Sequence, residues 1–235
     1  MTSLRVRYQT IEFGETDIHL RMLRDKQQFE DADDVALNLG ISSATWPIFG
    51  VVWASGMVLA HLMHAHDIKG LRILEVGCGI GLASLVLNNR HANITATDYH
   101  PEAGPFLREN VLLNQGEPIP FVRTGWADSD TELGLFDLII GSDVLYEHEH
   151  AELLSRFIER HTRPLGHVIL VDPGRGNHAR FSKKMVSLGY SHSQDKPDNT
   201  DYLPQPFKGQ VLRYQRLSED PHADPVDHPS AAVPD

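Results

Sequence analysis

Cysteine is nearly absent from this sequence: Cys78 is the single one among 235 residues. An intrachain disulfide is therefore excluded, and so is a metal centre held by a cysteine cluster. The first residues lack the long apolar core of a secretory signal, and we expect no stretch long and apolar enough to span a membrane. We expect a cytoplasmic protein without a membrane partner.

Basic residues are fewer than acidic ones, with 21 Lys and Arg against 32 Asp and Glu and a formal net charge of −11. A polyanion binds to a basic face, so we do not expect nucleic acid as a partner. An acidic surface suits a basic protein, although solubility alone accounts for many acidic enzymes. The length fits one α/β domain with modest additions, and we expect a monomer.

The most informative stretch runs from Leu74 to Gly81. An apolar run that ends at Val76 predicts a buried strand, and a helical pattern starts at Leu82. Between them lies the run Gly77-x-Gly79-x-Gly81. Because glycine has no Cβ, such a turn lets the backbone approach a nucleotide-like ligand closely.

The residues around the glycines favour one class of nucleoside cofactor. In the dinucleotide fingerprint the third glycine comes one position later, where this chain has Leu82. Glu75, two residues before Gly77, would repel a pyrophosphate and attract a cation. S-adenosylmethionine carries a sulfonium and an ammonium but no phosphate, so this cofactor is favoured and an NAD oxidoreductase is disfavoured.

Strands and helices alternate from Leu71 onward, and two consecutive strands follow near the C-terminus. Alternation predicts a mostly parallel sheet with covered faces, and adjacent strands predict a hairpin. The predicted fold is α/β, with a Rossmann-like, mostly parallel seven-stranded sheet, helices on both faces and a C-terminal antiparallel hairpin. The predicted strands are 73–76, 93–97, 119–123, 136–141, 167–171, 190–193 and 210–216.

Carboxylates stand where ligands bind in an open parallel sheet, beyond the carboxyl ends of the strands. Glu75 lies at the end of a predicted strand, and Asp98, Asp143 and Asp172 each follow one. Any one of them alone is also explained as a helix N-cap. Asp98 comes about 20 positions after the first glycine, which is the place of a carboxylate that accepts the ribose hydroxyls.

Two tryptophans are candidates for the walls of the nucleoside pocket. Trp126, just beyond the third strand, is placed to pack against adenine, or else it closes its own loop. Trp53 lies shortly before the glycine turn, and both Trp53 and Trp46 are either core residues or pocket walls.

The acidic residue and glycines of Glu75-x-Gly77-x-Gly79-x-Gly81 resemble the first motif of the class I S-adenosylmethionine-dependent methyltransferases. Together with Asp143-x-x-Tyr146, the sequence resembles the family 16, or seven-β-strand, protein lysine methyltransferases. Trp53 matches a tryptophan that recurs before the first strand in that family. The resemblance covers roughly residues 46–190 and implies S-adenosyl-L-methionine as cofactor and a lysine side chain as acceptor.

The strand-end residues and the resemblance together indicate a cofactor site and an acceptor site. Asp143 would orient the acceptor ammonium and Tyr146 would line its channel, although Asp143 as a cap of the following helix stays open. No general base is assigned. No metal site is expected, because residues 147–150 are more simply a solvated helix start. The expected cofactor-binding residues are Trp53, Glu75, Gly77, Gly79, Gly81, Asp98, Trp126 and Asp143.

Three segments are expected: an N-terminal extension over 1–45, a methyltransferase domain over 46–217, and a disordered acidic tail over 218–235, which is rich in proline and lacks aromatic residues. The expected function is protein lysine N-methylation. Two alternatives stay open. One is a small-molecule N-methyltransferase, and the other is a cofactor-binding interaction protein without catalysis.

Overall fold

A computed structural model describes residues 4–31, 33–129 and 131–217, so the predicted disordered tail lies outside the described residues. The strands are β1 (Val6–Phe13), β2 (Thr16–Leu23), β3 (Arg72–Val76), β4 (Asn93–Asp98), β5 (Phe121–Arg123), β6 (Phe136–Ser142), β7 (Thr162–Asp172), β8 (Tyr190–Asp195) and β9 (Gln210–Arg216). The helices are α1 (Val35–Asn38), α2 (Ala54–Ala65), α3 (Leu82–Asn89), α4 (Ala103–Leu113), α5 (His150–His161) and α6 (His178–Ser187), and a 3₁₀ helix spans Trp46–Gly50.

Seven of these strands form one sheet, in the order β5-β4-β3-β6-β7-β9-β8. The first five in that order are parallel to one another, whereas β9 runs antiparallel to both β7 and β8. The predicted fold class is therefore confirmed, including the C-terminal hairpin. The strand order reverses direction between β3 and β6, and this is where ligands bind in open α/β sheets.

The central strands are apolar on both faces because helices cover both. On β6, Leu138 and Ile140 belong to the first hydrophobic core, which includes residues of α2, α3 and α4. Ile139, between them, belongs to the second core, which includes residues of α5 and α6. This two-residue alternation explains why the strand reads as a continuous apolar run.

The N-terminal hairpin of β1 and β2 does not join the large sheet; it packs over α3 and α4. Alternate residues of β2, among them Ile18 and Leu20, are fully buried in the first core. The buried Asn110 of α4 holds the hairpin edge, because its Oδ1 accepts a hydrogen bond from the Arg21 backbone N–H at 2.7 Å. The domain boundary at residue 45 stays a prediction.

The 20-residue segment Trp46–Ala65 contains an 18-residue window with a mean hydropathy of 1.5, enough by length and composition for a membrane span. The expectation that no stretch reaches this length is therefore wrong. The segment is not one continuous helix, because Val51 and Trp53 are extended between the 3₁₀ helix and α2. Its residues Trp46 and Leu59 are fully buried in the first core, and this packing accounts for the apolar composition.

Candidate active site

A cavity of about 750 Å³ opens where the parallel strands end, a size typical of small-molecule sites. Its walls come mainly from the loops that follow β3, β4, β5, β6 and β7 and from the segment before α2. Of the predicted site residues, Gly81 does not line the cavity. Those that do are Trp53, Glu75, Gly77, Gly79, Asp98, Trp126, Asp143 and Tyr146.

The three glycines are required by their backbone conformation and by protein packing. Gly77, Gly79 and Gly81 have φ values of 62°, 55° and 78°, in the left-handed region. A Cβ on Gly79 would lie 2.8 Å from the Phe49 carbonyl oxygen, and one on Gly81 would meet the side chain of Leu107. The glycine turn lies between β3 and α3 as expected, and its close contacts are with the protein itself; cofactor binding by these glycines stays a prediction.

Glu75 is buried at the end of β3, and its Oε2 accepts hydrogen bonds from the backbone N–H of Ser84 at 2.9 Å and from the Ser84 hydroxyl. These bonds satisfy the first turn of α3, so the helix-cap interpretation describes part of its role. Burial raises the pKa of Glu75 to about 7, although the bonds from Ser84 act in the opposite direction. A cation in the cavity would hold this carboxyl in its ionised form.

Asp98 joins the end of β4 to the glycine turn. Its Oδ2 accepts a hydrogen bond from the Gly79 N–H and its Oδ1 accepts one from the His100 N–H, each at 2.8 Å. Burial raises the pKa of Asp98, and these bonds oppose that change. Each oxygen keeps a second lone pair, so binding of the ribose hydroxyls stays a prediction.

Aromatic rings form the walls of the cavity. The Trp126 ring lies beside Gly77, with Cζ2 4.0 Å from the position of an added Cβ. The Trp53 indole N–H donates to the Ile48 carbonyl at 2.9 Å, which fixes that ring. Trp46 is 1% exposed and belongs to the core. Thus Trp53 is a wall residue and Trp46 is a core residue.

Asp143 follows β6 with φ 54°, and its backbone N–H donates to the Val171 carbonyl at 2.9 Å. Its two carboxylate oxygens accept hydrogen bonds from Nε and Nη2 of Arg175, at 2.7 and 2.9 Å. The next helix, α5, begins only at His150 and has no side-chain cap. Asp143 therefore pairs with an arginine and does not cap that helix.

Tyr146 lies at the mouth of the cavity and is 46% exposed. Its ring meets His150 edge-on, with 4.5 Å between the centroids. Partial burial raises the pKa of Tyr146 to about 12, and the charges of Asp98, Glu147 and Asp143 add to the shift. The phenol is therefore protonated at neutral pH and offers a hydrogen-bond donor.

The sequence interpretation missed His150 by treating residues 147–150 as a solvated helix start. The His150 ring contacts both Trp126, at 4.8 Å, and Tyr146, and its Nδ1 donates to the Val144 carbonyl at 3.0 Å. In the sequence, the one sign of this contact was that His150 comes four residues after Tyr146.

Within the described residues, no group of three or more His, Cys, Asp or Glu side chains is placed to hold a metal ion.

The chemistry of the lining residues fits a cationic cofactor better than a pyrophosphate. Glu75 and Asp98 bring carboxylates to the glycine turn. Among the described residues that line the cavity, Arg175 is the one side chain with a permanent positive charge, and it is already paired with Asp143. A sulfonium or ammonium therefore finds opposite charge here, whereas a pyrophosphate would lack a free cation.

A sequence profile of the lysine methyltransferase family matches residues 32–186, which is more than half of the chain. The chain belongs to this family. The matched range includes every predicted site residue and Arg175. It excludes the β1–β2 hairpin and the strands β8 and β9.

Curated members of this family are similar to the chain over part of their length. The electron transfer flavoprotein beta subunit lysine methyltransferase of Xenopus laevis is 32% identical over 144 residues, 60% of this chain and 56% of that protein. The protein N-lysine methyltransferase METTL21A of Danio rerio is 34% identical over 129 residues, 50% of this chain and 58% of that protein. The chain thus spans little more than half the length of these relatives.

Solved structures extend the likeness in fold. The 16S rRNA N2 G1207 methyltransferase RsmC of T. thermophilus, solved with AdoMet and guanosine, superposes with a TM-score of 0.62 at 14% identity. The superposition covers 92% of this chain and 51% of that chain. At this identity the likeness concerns the fold, which is that of a class I methyltransferase.

Proposed function

We propose that this protein transfers a methyl group from S-adenosylmethionine to a lysine side chain of another protein. The match to the lysine methyltransferase family carries the proposal. The site supports it, because the carboxylates of the glycine turn and the pair Asp143 and Tyr146 line the same cavity.

The residues that would hold the cofactor follow from the walls of the cavity. Asp98 accepts the ribose hydroxyls, Glu75 faces the positive charge, and Trp53 and Trp126 enclose the adenosine. The glycine turn brings backbone N–H groups to the site. When bound, S-adenosylmethionine supplies an electrophilic methyl group on a positively charged sulfur.

The acceptor residues act by orientation and by exclusion of water. A lysine ammonium in water has a pKa of about 10.4 and must lose a proton before its nitrogen can accept a methyl group. A water-poor cavity that holds other positive charge lowers that pKa. Asp143 orients the ammonium and Tyr146 lines its path, and such positioning contributes about 7–11 kcal/mol in favourable cases.

The proposal also covers the class of acceptor, the location of the protein and its oligomeric state. A net charge of −11 supports a protein acceptor over nucleic acid, since a polyanion would be repelled. We propose that the protein acts as a cytoplasmic monomer without a membrane partner.

Transfer of labelled methyl groups tests the proposal. The purified protein and methyl-tritiated S-adenosylmethionine are added to a lysate of the source organism, and labelled bands are mapped by mass spectrometry. We expect label on a lysine of one or a few proteins, and roughly 100-fold less label when Asp143 is changed to Asn. Label confined to small molecules would support a small-molecule N-methyltransferase, and cofactor binding without any label would support a non-catalytic protein.

A further inference from the structure

The carboxylate that would receive the acceptor ammonium already holds another cation. Both oxygens of Asp143 accept hydrogen bonds from Arg175, in the two-pronged geometry that makes arginine–carboxylate pairs strong. The pairing with Asp143 also raises the pKa of Arg175 above its usual value. A lysine ammonium that approaches Asp143 must therefore compete with this guanidinium.

Arg175 is placed on a turn that leaves its side chain free to move away. The Asp143 side chain is 13% exposed, whereas that of Arg175 is 47% exposed. The flanking Gly174 and Gly176 have φ values of 96° and 92°, and an added Cβ on Gly176 would meet no atom within 4 Å. Displacement of the guanidinium therefore disturbs no packed core.

The base of the same turn is held in place. The buried Asp172 accepts a hydrogen bond from the Gly174 N–H at 2.8 Å through its Oδ2. The Asp143 backbone is held as well, through its bond to the Val171 carbonyl at 2.9 Å. The carboxylate thus stays at the site while the arginine is the exchangeable partner.

We propose that Arg175 is a specificity-determining residue that competes with the acceptor lysine for Asp143 and favours acceptors with a carboxylate next to that lysine. Once the lysine pairs with Asp143, the Arg175 guanidinium loses the two carboxylate oxygens to which it donates hydrogen bonds. An acidic side chain beside the target lysine then supplies a new partner, and a neutral one does not. This inference rests on the proposed function, since it assumes that Asp143 receives a lysine.

The test is a binding experiment with two dipeptide probes. Acetyl-Lys-Glu-amide and acetyl-Lys-Gln-amide are titrated by calorimetry into protein saturated with S-adenosylhomocysteine, whose own binding is measured first. With the unaltered protein we expect the Glu dipeptide to bind about fivefold more tightly, the upper range for a partly exposed ion pair. With Arg175→Ala the two probes should bind equally, and the Gln dipeptide more tightly than to the unaltered protein.

Two further variants separate competition from general charge effects. Arg175→Lys keeps the charge but loses the two-pronged geometry, so we expect a smaller preference for the Glu dipeptide. Arg108→Ala removes an exposed guanidinium on α4 that does not line the cavity, so it should behave as the unaltered protein does.

Three results would overturn the inference. In the first, the probes discriminate equally with and without Arg175. In the second, neither probe binds to either protein, which would mean that Asp143 takes no ammonium. In the third, Arg175→Ala weakens binding of S-adenosylhomocysteine about tenfold or more, which would make Arg175 a cofactor residue. Failure of the unaltered protein to bind S-adenosylhomocysteine at all would instead count against the proposed function.

Discussion

At the scale of single residues, the negative charge of Glu75 lowers the stability of the ligand-free protein but favours the binding of a cation. Its pKa is about 7 in the folded protein against an ordinary value of 4.5, because the side chain is buried. As pH rises, the unfolded chain therefore releases this proton first, and the free energy of unfolding falls between pH 4.5 and 7. The full loss, above pH 7, is roughly 3 kcal/mol.

Replacing Glu75 by Gln should stabilise the ligand-free protein. The Gln amide oxygen can still accept from Ser84 but carries no charge, so we expect the variant to be more stable by up to about 3 kcal/mol at about pH 8 and little changed at about pH 4.5. Urea unfolding at the two pH values measures this. The exposed Glu117→Gln is the control and should show no such pH dependence.

The same variant should bind S-adenosylmethionine more weakly at about pH 8. In the unaltered protein a nearby cation favours the ionised form of Glu75, so the affinity should rise with pH up to about 7 and then level off. The affinity of Glu75→Gln should not follow pH in this range. An affinity independent of pH in both proteins would mean that Glu75 does not face the positive charge of the cofactor.

Asp143 is best tested by Asn, because φ is 54° at this position and Asn accepts left-handed backbone more readily than Ala does. Asp143→Asn should lower methyl transfer to the protein labelled in lysate by roughly 100-fold, the size typical for loss of one oriented electrostatic group. The dissociation constant for S-adenosylhomocysteine should change little. A large loss of that binding would instead identify Asp143 as a cofactor residue.

At the scale of secondary-structure elements, Asn110 joins three parts of the fold. It lies on α4 and is fully buried; its Oδ1 accepts from Arg21 in the hairpin, and its Nδ2 donates to the Ile80 carbonyl in the glycine turn at 3.2 Å. Asn110→Ala should lower the free energy of unfolding by about 2–3 kcal/mol, because buried backbone groups lose their partners.

The control is Asn114, which is half-buried and also forms hydrogen bonds with the hairpin. Asn114→Ala should lower the free energy of unfolding by about 1 kcal/mol or less. Equal losses in urea unfolding would contradict this assignment.

The energy of the contact between the glycine turn and the 3₁₀ helix can be measured separately from the energy of backbone strain. Gly79 and Gly14 both have left-handed φ values, of 55° and 65°, but an added Cβ meets the Phe49 carbonyl only at Gly79. Gly14→Ala should therefore cost about 1–2 kcal/mol from strain alone. Gly79→Ala should lower the free energy of unfolding further and weaken cofactor binding. If the two losses in urea unfolding were equal, the contact with Phe49 would carry no energy.

At the scale of the whole molecule, ligand binding and folding are coupled, because the cavity is built from loops that follow five strands and from the segment before α2. A ligand present at about 100 times its dissociation constant adds about 2.7 kcal/mol to the free energy of unfolding. For a chain of this size we expect S-adenosylhomocysteine to raise the Tm by about 5–10 °C. NAD at the same concentration is the control, and a comparable rise with NAD would contradict the choice of cofactor.

Much of the fold and part of the site could be predicted from local patterns. The run before Val76 marked β3, and the alternation of strands and helices marked the parallel sheet, because burial on both faces leaves long apolar runs. The carboxylates at the strand ends marked the cavity, because the ends of parallel strands meet at one edge. Asp172 shows the limit of this rule, since it is the last residue of β7 but does not line the cavity.

By itself, then, the sequence determined the strands of the large sheet, their mostly parallel arrangement, the position of the cavity and the family, since each depends on residue types at short spacing. Only the tertiary structure decided the partners of the side chains: Arg175 on Asp143, Asn110 between the hairpin and the glycine turn, and His150 between two aromatic rings. Asp143 and Arg175 lie 32 positions apart in the chain. Such pairs arise when packing brings distant elements together, and no local pattern records which partner a charged side chain will meet.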